Sequence, residues 1–133
     1  MSHNEKQRWL LLLASVTIVI SLGIFGSLWK RVELDQAVQK QEQDRRVVTI
    51  AAEVERLLMF YKDDCSYCKK VLPFLVKHNL AWRDLIFINL NQEQNRKYIK
   101  QYDLTSVPTF VSPKGRYEGT DTKQIQKLLD KGL

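Results

Sequence analysis

The 133-residue sequence predicts an α/β domain of order βαβαββα behind an N-terminal transmembrane helix. Three observations predict it. Trp9 to Trp29 runs without a charged residue. From residue 57 onward, short apolar runs alternate with helix-period patterns. The only two cysteines, Cys65 and Cys68, stand where the first of those runs gives way to the first of those helices. The division read from the sequence is 9–29 transmembrane anchor, 30–56 stalk or linker, and 57–133 folded domain.

The apolar stretch comes first. As a helix it would be about 32 Å long, enough for a hydrocarbon core of about 30 Å. Trp9 and Trp29 mark its ends, where an indole buries its ring and keeps its N–H near water. A chain this short could not wrap a core helix that is apolar on every face. A cleaved signal peptide is the rival reading, since Ser21 and Gly23 have the small side chains that cleavage requires. The apolar run continues through Ile24, Phe25 and Leu28, which favours a retained single-pass anchor in the cell membrane. Orientation divides the arguments. A short head stays inside, and a dithiol is most useful facing an oxidising space. Yet Lys30, Arg31, Lys40, Arg45 and Arg46 outnumber Lys6 and Arg8, which the positive-inside rule reads the other way. The expectation is an extracytoplasmic domain.

Within the stalk, Asp35 to Arg46 suits a helix and Val47 to Ile50 an extended segment, and the pattern assigns neither. Leu57 to Tyr61 (LLMFY) is a buried strand with turn-prone Asp63 and Asp64 behind it. Cys68, Val71, Leu72 and Leu75 recur at i, i+3, i+4 and i+7, one helix face against a core. Residues 85–90 (LIFINL) form a second buried strand. Asn91 is expected to cap the next helix, whose apolar side is Tyr98, Ile99 and Tyr102. Residues 107–111 (VPTFV) are a third strand, Pro113-Lys114-Gly115 a turn, and 116–119 (RYEG) a fourth strand in hairpin. Thr120 or Asp121 caps a last helix facing the core with Ile125, Leu128 and Leu129.

The net charge of +6 does not point to nucleic acid. Lys69, Lys70, Lys77, Lys97, Lys100, Lys123 and Lys127 fall on solvated helix faces without interleaved aromatics. The cysteine pair admits three readings: a redox centre, half a metal site, or a structural disulfide. Structural zinc needs about four protein ligands. Besides the cysteines there are only His3, ahead of the apolar stretch, and His78, at the far end of the cysteine-bearing helix. No metal and no cofactor is expected. Pro108 taken alone reads as an edge-strand proline.

Taken jointly, these features resemble the thioredoxin superfamily in its minimal, glutaredoxin-sized form, over residues 57–133. Cys65-Ser66-Tyr67-Cys68 follows a strand, Pro73 stands five residues after Cys68, and Val107-Pro108-Thr109 matches the family's cis-proline segment. The resemblance implies a cis Val107–Pro108 bond, with the Val107 backbone presented to an extended substrate. It implies thiol–disulfide exchange, for which a helix N-terminus suits the first cysteine by lowering its thiol pKa. Cys65 is then the attacking thiol and Cys68 the covered resolving thiol. Tyr67 is either part of the substrate surface or simply an exposed aromatic. Asp63 and Asp64 read as turn and capping residues.

The chain departs from the family in three places. Met59 and Phe87 stand where thioredoxins carry a buried aspartate and a lysine, and Asp64 stands where a tryptophan usually precedes the first cysteine. A carboxylate there disfavours the thiolate. Whether the protein oxidises, reduces or isomerises is left open by these residues.

The overall layout also resembles small membrane-anchored thioredoxin-like accessory proteins of Gram-positive bacteriocin systems. The implied partners are a cysteine-containing peptide or protein substrate, a redox partner protein or small thiol, and the membrane through residues 9–29. Two functions follow: a membrane-anchored thiol–disulfide oxidoreductase acting on exported chains, or a non-catalytic peptide-binding accessory for secretion or immunity whose cysteines are a staple. A cytochrome-maturation reductase fits less well, lacking the usual insertion and the tryptophan before the motif.

Overall fold

A computed structural model describes residues 2–52 and 55–130. The chain divides into two compact units, 1–35 and 36–133.

Residues 3–35 of the first unit belong to helix α1, His3–Glu42. A capping box starts it: Glu5 N–H donates to Ser2 Oγ, and Ser2 N–H donates to the Glu5 carboxylate at 2.8 Å. Its apolar window has a mean hydropathy of 2.3, and by length and composition the helix can cross a membrane. The few hydroxyls along it are satisfied internally. Ser15, Thr17, Ser21 and Ser27 each donate to a carbonyl three or four residues back, all at 2.8 Å. In an apolar surrounding without water, that is the available way to satisfy them.

The second unit shows the βαβαββα order expected from the sequence: β1 Leu57–Tyr61, α2 Ser66–Trp82, β2 Leu85–Asn89, a 3₁₀ turn Glu93–Arg96 leading into α3 Lys97–Gln101, β3 Thr109–Ser112, β4 Gly115–Glu118 and α4 Thr122–Leu129. The four strands lie in the order β2-β1-β3-β4. β1 pairs with β2 in parallel and with β3 antiparallel, and β3–β4 is the antiparallel hairpin. All five residues of the central β1 are buried, as an uninterrupted apolar run flanked on both edges requires.

Strand alternation separates two apolar layers. Leu58, Phe60, Ile88, Leu90 and Tyr98 form a cluster on one side. The Phe60 ring centroid lies 5.1 Å from that of Tyr102 and 6.3 Å from that of Tyr98. Leu57, Met59 and Tyr61 point to the opposite face. The buried residues of α2 (Cys68, Val71, Leu72, Leu75 and Val76) and α4 (Ile125 and Leu129) supply the layer there.

Some details differ from the sequence expectation. Gln92, not Asn91, caps the turn after β2, accepting from Gln94 N–H. Asn91 is engaged elsewhere, its Oδ1 accepting from Asp63 N–H. Ile99 stays exposed, because the 3₁₀ turn shifts the phase of the short helix and leaves Tyr98 alone fully buried on it. Asp121 does cap α4, accepting from Lys123 N–H at 2.9 Å.

The most consequential difference concerns residues 41–50. This stretch is tied to the folded unit atom by atom. Val48 N–H donates to Asn95 Oδ1 and Ile50 N–H to the Tyr98 hydroxyl, which itself donates to the Val48 carbonyl. Asn95 Nδ2 donates to the Arg46 carbonyl, Asn89 Nδ2 to the Asp44 carbonyl, and the Tyr61 hydroxyl to the Gln41 carbonyl. Val48 and Ile50 pack against the aromatic cluster.

Candidate active site

β1 delivers the chain, buried, to Tyr61; a turn over Asp63 and Asp64 follows, and α2 begins at Ser66. Cys65 is the N-cap. Its N–H donates to the Lys62 carbonyl at 3.3 Å, and its sulfur accepts from Cys68 N–H at 3.1 Å. Cys65 is half-buried, while Cys68, one turn further on the core face, is completely covered. The two are joined as a disulfide with Cα atoms 5.2 Å apart, the ordinary span for such a bond.

The loop before β3 meets this helix end. Val107–Pro108 is cis, and the Val107 carbonyl oxygen lies 3.6 Å from Cys65 Sγ. That loop is braced from behind. Thr109 Oγ1 donates to the Ser106 carbonyl, Ser106 Oγ donates to Glu118, and Arg116 donates to the Tyr102 and Asp103 carbonyls. The Ser106 hydroxyl and the Arg116 guanidinium together hold the Glu118 carboxyl below its ordinary value. The structure therefore brings Cys65, Cys68, Val107 and Pro108 together. Tyr67 stands on the outer side of the same first turn, 59% exposed, with Lys70 Nζ 5.1 Å from its ring centroid.

Met59 and Phe87 lie directly opposite each other in the β1–β2 register, and Met59 is fully buried. Neither side chain can take up or release a proton. Tyr61 cannot either near neutral pH: burial pushes its hydroxyl up to about 12. His78 is occupied at the other end of α2, with Nε2 3.0 Å from Asp84 Oδ1. Among the described residues, no group of three or more His, Cys, Asp and Glu is placed to hold a metal ion.

Sequence reasoning did not foresee the surroundings of Asp63. Its carboxylate accepts from Asn89 Nδ2 and pairs with Arg45. Burial raises the Asp63 pKa, but the Asn89 hydrogen bond and the Arg45 charge outweigh it, and the group is held below the usual carboxylate range. The one available signal was Asn89 itself, a polar residue inside an apolar strand run. A buried amide there must have partners.

Comparison with known proteins yields the following. The thioredoxin family model matches residues 35–131. Thioredoxin-T of Drosophila melanogaster is 27% identical over 99 residues, 69% of this chain and 62% of that protein. The mitochondrial thioredoxin-3 of Saccharomyces cerevisiae is 31% identical over 75 residues, 56% of this chain and 59% of that protein. The chain thus spans less than two thirds of the length of these relatives. The crystal structure of the oxidised form of mitochondrial thioredoxin 3 from Saccharomyces cerevisiae superposes with a TM-score of 0.45 at 22% identity, covering 71% of this chain and 85% of that one.

Proposed function

The chain belongs to the thioredoxin family, and from that premise we propose that it is a membrane-anchored thiol–disulfide oxidoreductase acting on cysteine-containing peptides or proteins outside the cytoplasm. The observation that carries the reading is the asymmetry of the pair. Cys65 is reachable at a helix N-terminus beside the Val107 carbonyl, and Cys68 is covered. In the reducing direction, the Cys65 thiolate attacks a substrate disulfide, forms a mixed disulfide and releases one substrate thiolate, which takes up a proton. Cys68, as its thiolate, then attacks Cys65 Sγ. The second substrate thiol leaves and the Cys65–Cys68 disulfide remains. Two electrons have passed to the substrate, and a redox partner or small thiol must return them. The oxidising direction is the same path reversed.

Tyr67, Val107 and Pro108 are assigned to the substrate surface, with the Val107 backbone pairing an extended segment. The division we propose is 9–29 anchor, 30–56 connecting segment and 57–133 catalytic domain, with residues 41–50 of the connecting segment seated on that domain. The long apolar helix supports the anchor. The layout suits exported bacteriocin-like peptides that need a disulfide.

Trapping tests the chemistry. Cys68→Ser should accumulate mixed disulfides through Cys65, and Cys65→Ser should accumulate none. The alternative, a docking module with a structural staple, requires that neither variant traps a partner. A membrane-impermeant maleimide applied to intact reduced cells tests the side: labelling at Cys65 before lysis is expected, and labelling only after lysis would put the domain in the cytoplasm.

A further inference from the structure

Asp63 stands two residues ahead of Cys65 and is fixed from three directions. Its N–H donates to Asn91 Oδ1 at 2.9 Å, and its carboxylate accepts from Asn89 Nδ2 and from the Arg45 guanidinium. Asn89 is 2% exposed, and its amide is fully committed. Nδ2 also donates to the Asp44 carbonyl at 3.1 Å, and Oδ1 accepts from Asn91 N–H at 2.9 Å. A buried, fully bonded amide therefore sets the place of the carboxylate, which a flexible surface pair would not do. Arg45 reaches this network from the 41–50 segment, outside the strand–helix unit that carries the cysteines.

We infer that Arg45 is a positioning residue of the exchange site, whose guanidinium offsets the Asp63 charge and keeps the Cys65 thiol acidic enough to react. The inference rests on Cys65 being the attacking thiol. The thiolate is the reactive form, and a fixed negative charge nearby raises the cost of forming it. Without Arg45, the turn before Cys65 would carry both Asp63 and Asp64. The other charges near Cys65 are Lys62 in the turn and Lys69 and Lys70 on α2, all exposed. The cis-proline side presents the Val107 carbonyl, with Glu118 behind it already paired to Arg116. Arg45 is the cation in this group whose position is set by an ion pair to the active-site turn.

The test uses the full-length reduced protein in detergent, with Cys68→Ser so that one thiol reports. The pH dependence of Cys65 alkylation by iodoacetamide is followed. Arg45→Gln should move the midpoint up and slow alkylation at pH 7 about threefold. Asp63→Asn keeps an acceptor for Asn89 and should move the midpoint down. The double variant should return close to the parent, and Arg45→Lys should restore most of the shift. At about 1 M salt, where screening acts within about 3 Å, the differences should shrink. A purely structural role would move both single variants the same way and ignore salt. That outcome, or an unchanged midpoint in Arg45→Gln, overturns the inference. Failure of the oxidoreductase reading looks different: the wild type would not turn over a model disulfide, while the midpoints still shift as stated.

Discussion

Two segments bear on the turn that carries Cys65, and they are seated by different forces. α2 is seated by apolar contact, with Cys68, Val71, Leu72 and Leu75 each at 1% exposure or less. Residues 41–50 are seated mostly by hydrogen bonds to Asn89, Asn95, Tyr61 and Tyr98. Apolar seating scales with buried area and has no preferred partner atom. Hydrogen-bonded seating depends on a few atoms, and each buried group left unpaired costs about 1–3 kcal/mol. The first mode places a helix; the second selects one register of an otherwise irregular chain.

Truncation probes the contrast most strongly. A fragment starting at residue 36 should unfold cooperatively. One starting at residue 51 removes Val48 and Ile50 from the aromatic cluster, strips Asn95 of its Val48 and Arg46 partners, and leaves the Tyr98 hydroxyl without either of its own. It should lose at least about 5 kcal/mol, summing partial burial of two aliphatic side chains and the unpaired polar groups. Urea denaturation followed by circular dichroism reads this, and equal midpoints for the two fragments would show the segment to be a mere tether.

Single substitutions sharpen it. Leu75→Ala, in the apolar seat, should cost about 2–5 kcal/mol. Asn95→Ala, in the polar seat, leaves Val48 N–H and the Arg46 and Asn89 carbonyls without their partner and should cost about 1–3 kcal/mol. A cost for Asn95→Ala within experimental error of zero would mean that water replaces the amide freely.

The smallest effect is electrostatic. Asp44 and Asp63 both have carboxyl pKa values lowered on folding. Their contribution is present above the ordinary 3.8 and disappears as the pH falls through the lower folded values. Stability should therefore be level from neutral pH to about pH 5 and fall below about pH 4. Since Arg45 is 60% exposed, the Asp63 share should stay under about 1 kcal/mol. Asp63→Asn should flatten the acid limb slightly in pH-dependent denaturation, and a steeper limb would reverse the sign of the argument.

Much of this molecule is a matter of local spacing, and spacing is legible. The i, i+3, i+4, i+7 recurrence from Cys68 to Leu75 and the unbroken run Leu57–Tyr61 are found where the periodicity puts them. The contrast between a reachable Cys65 and a covered Cys68 follows from three residues of helix, while of the two caps the sequence allowed for α4, Thr120 and Asp121, the structure uses Asp121. Local pattern fails at Asn91 and Ile99, where a 3₁₀ turn shifts the phase by a fraction of a turn.

By itself, then, the sequence determined the order of elements, the apolar faces and the asymmetry of the cysteines, because each depends on neighbours a few positions away. Only the tertiary structure decided what Asp63, Asn89, Asn95 and Tyr98 would meet. Their partners lie in residues 41–50, or across the β1–β2 turns, separated by up to 50 positions. A hydrogen bond is directional and short, so such a partner is chosen by where two distant backbones come to rest. No period or composition encodes that choice, and the polar residues of 41–50, which read as a polar stalk in one dimension, meet Asp63, Asn89 and Asn95 in three.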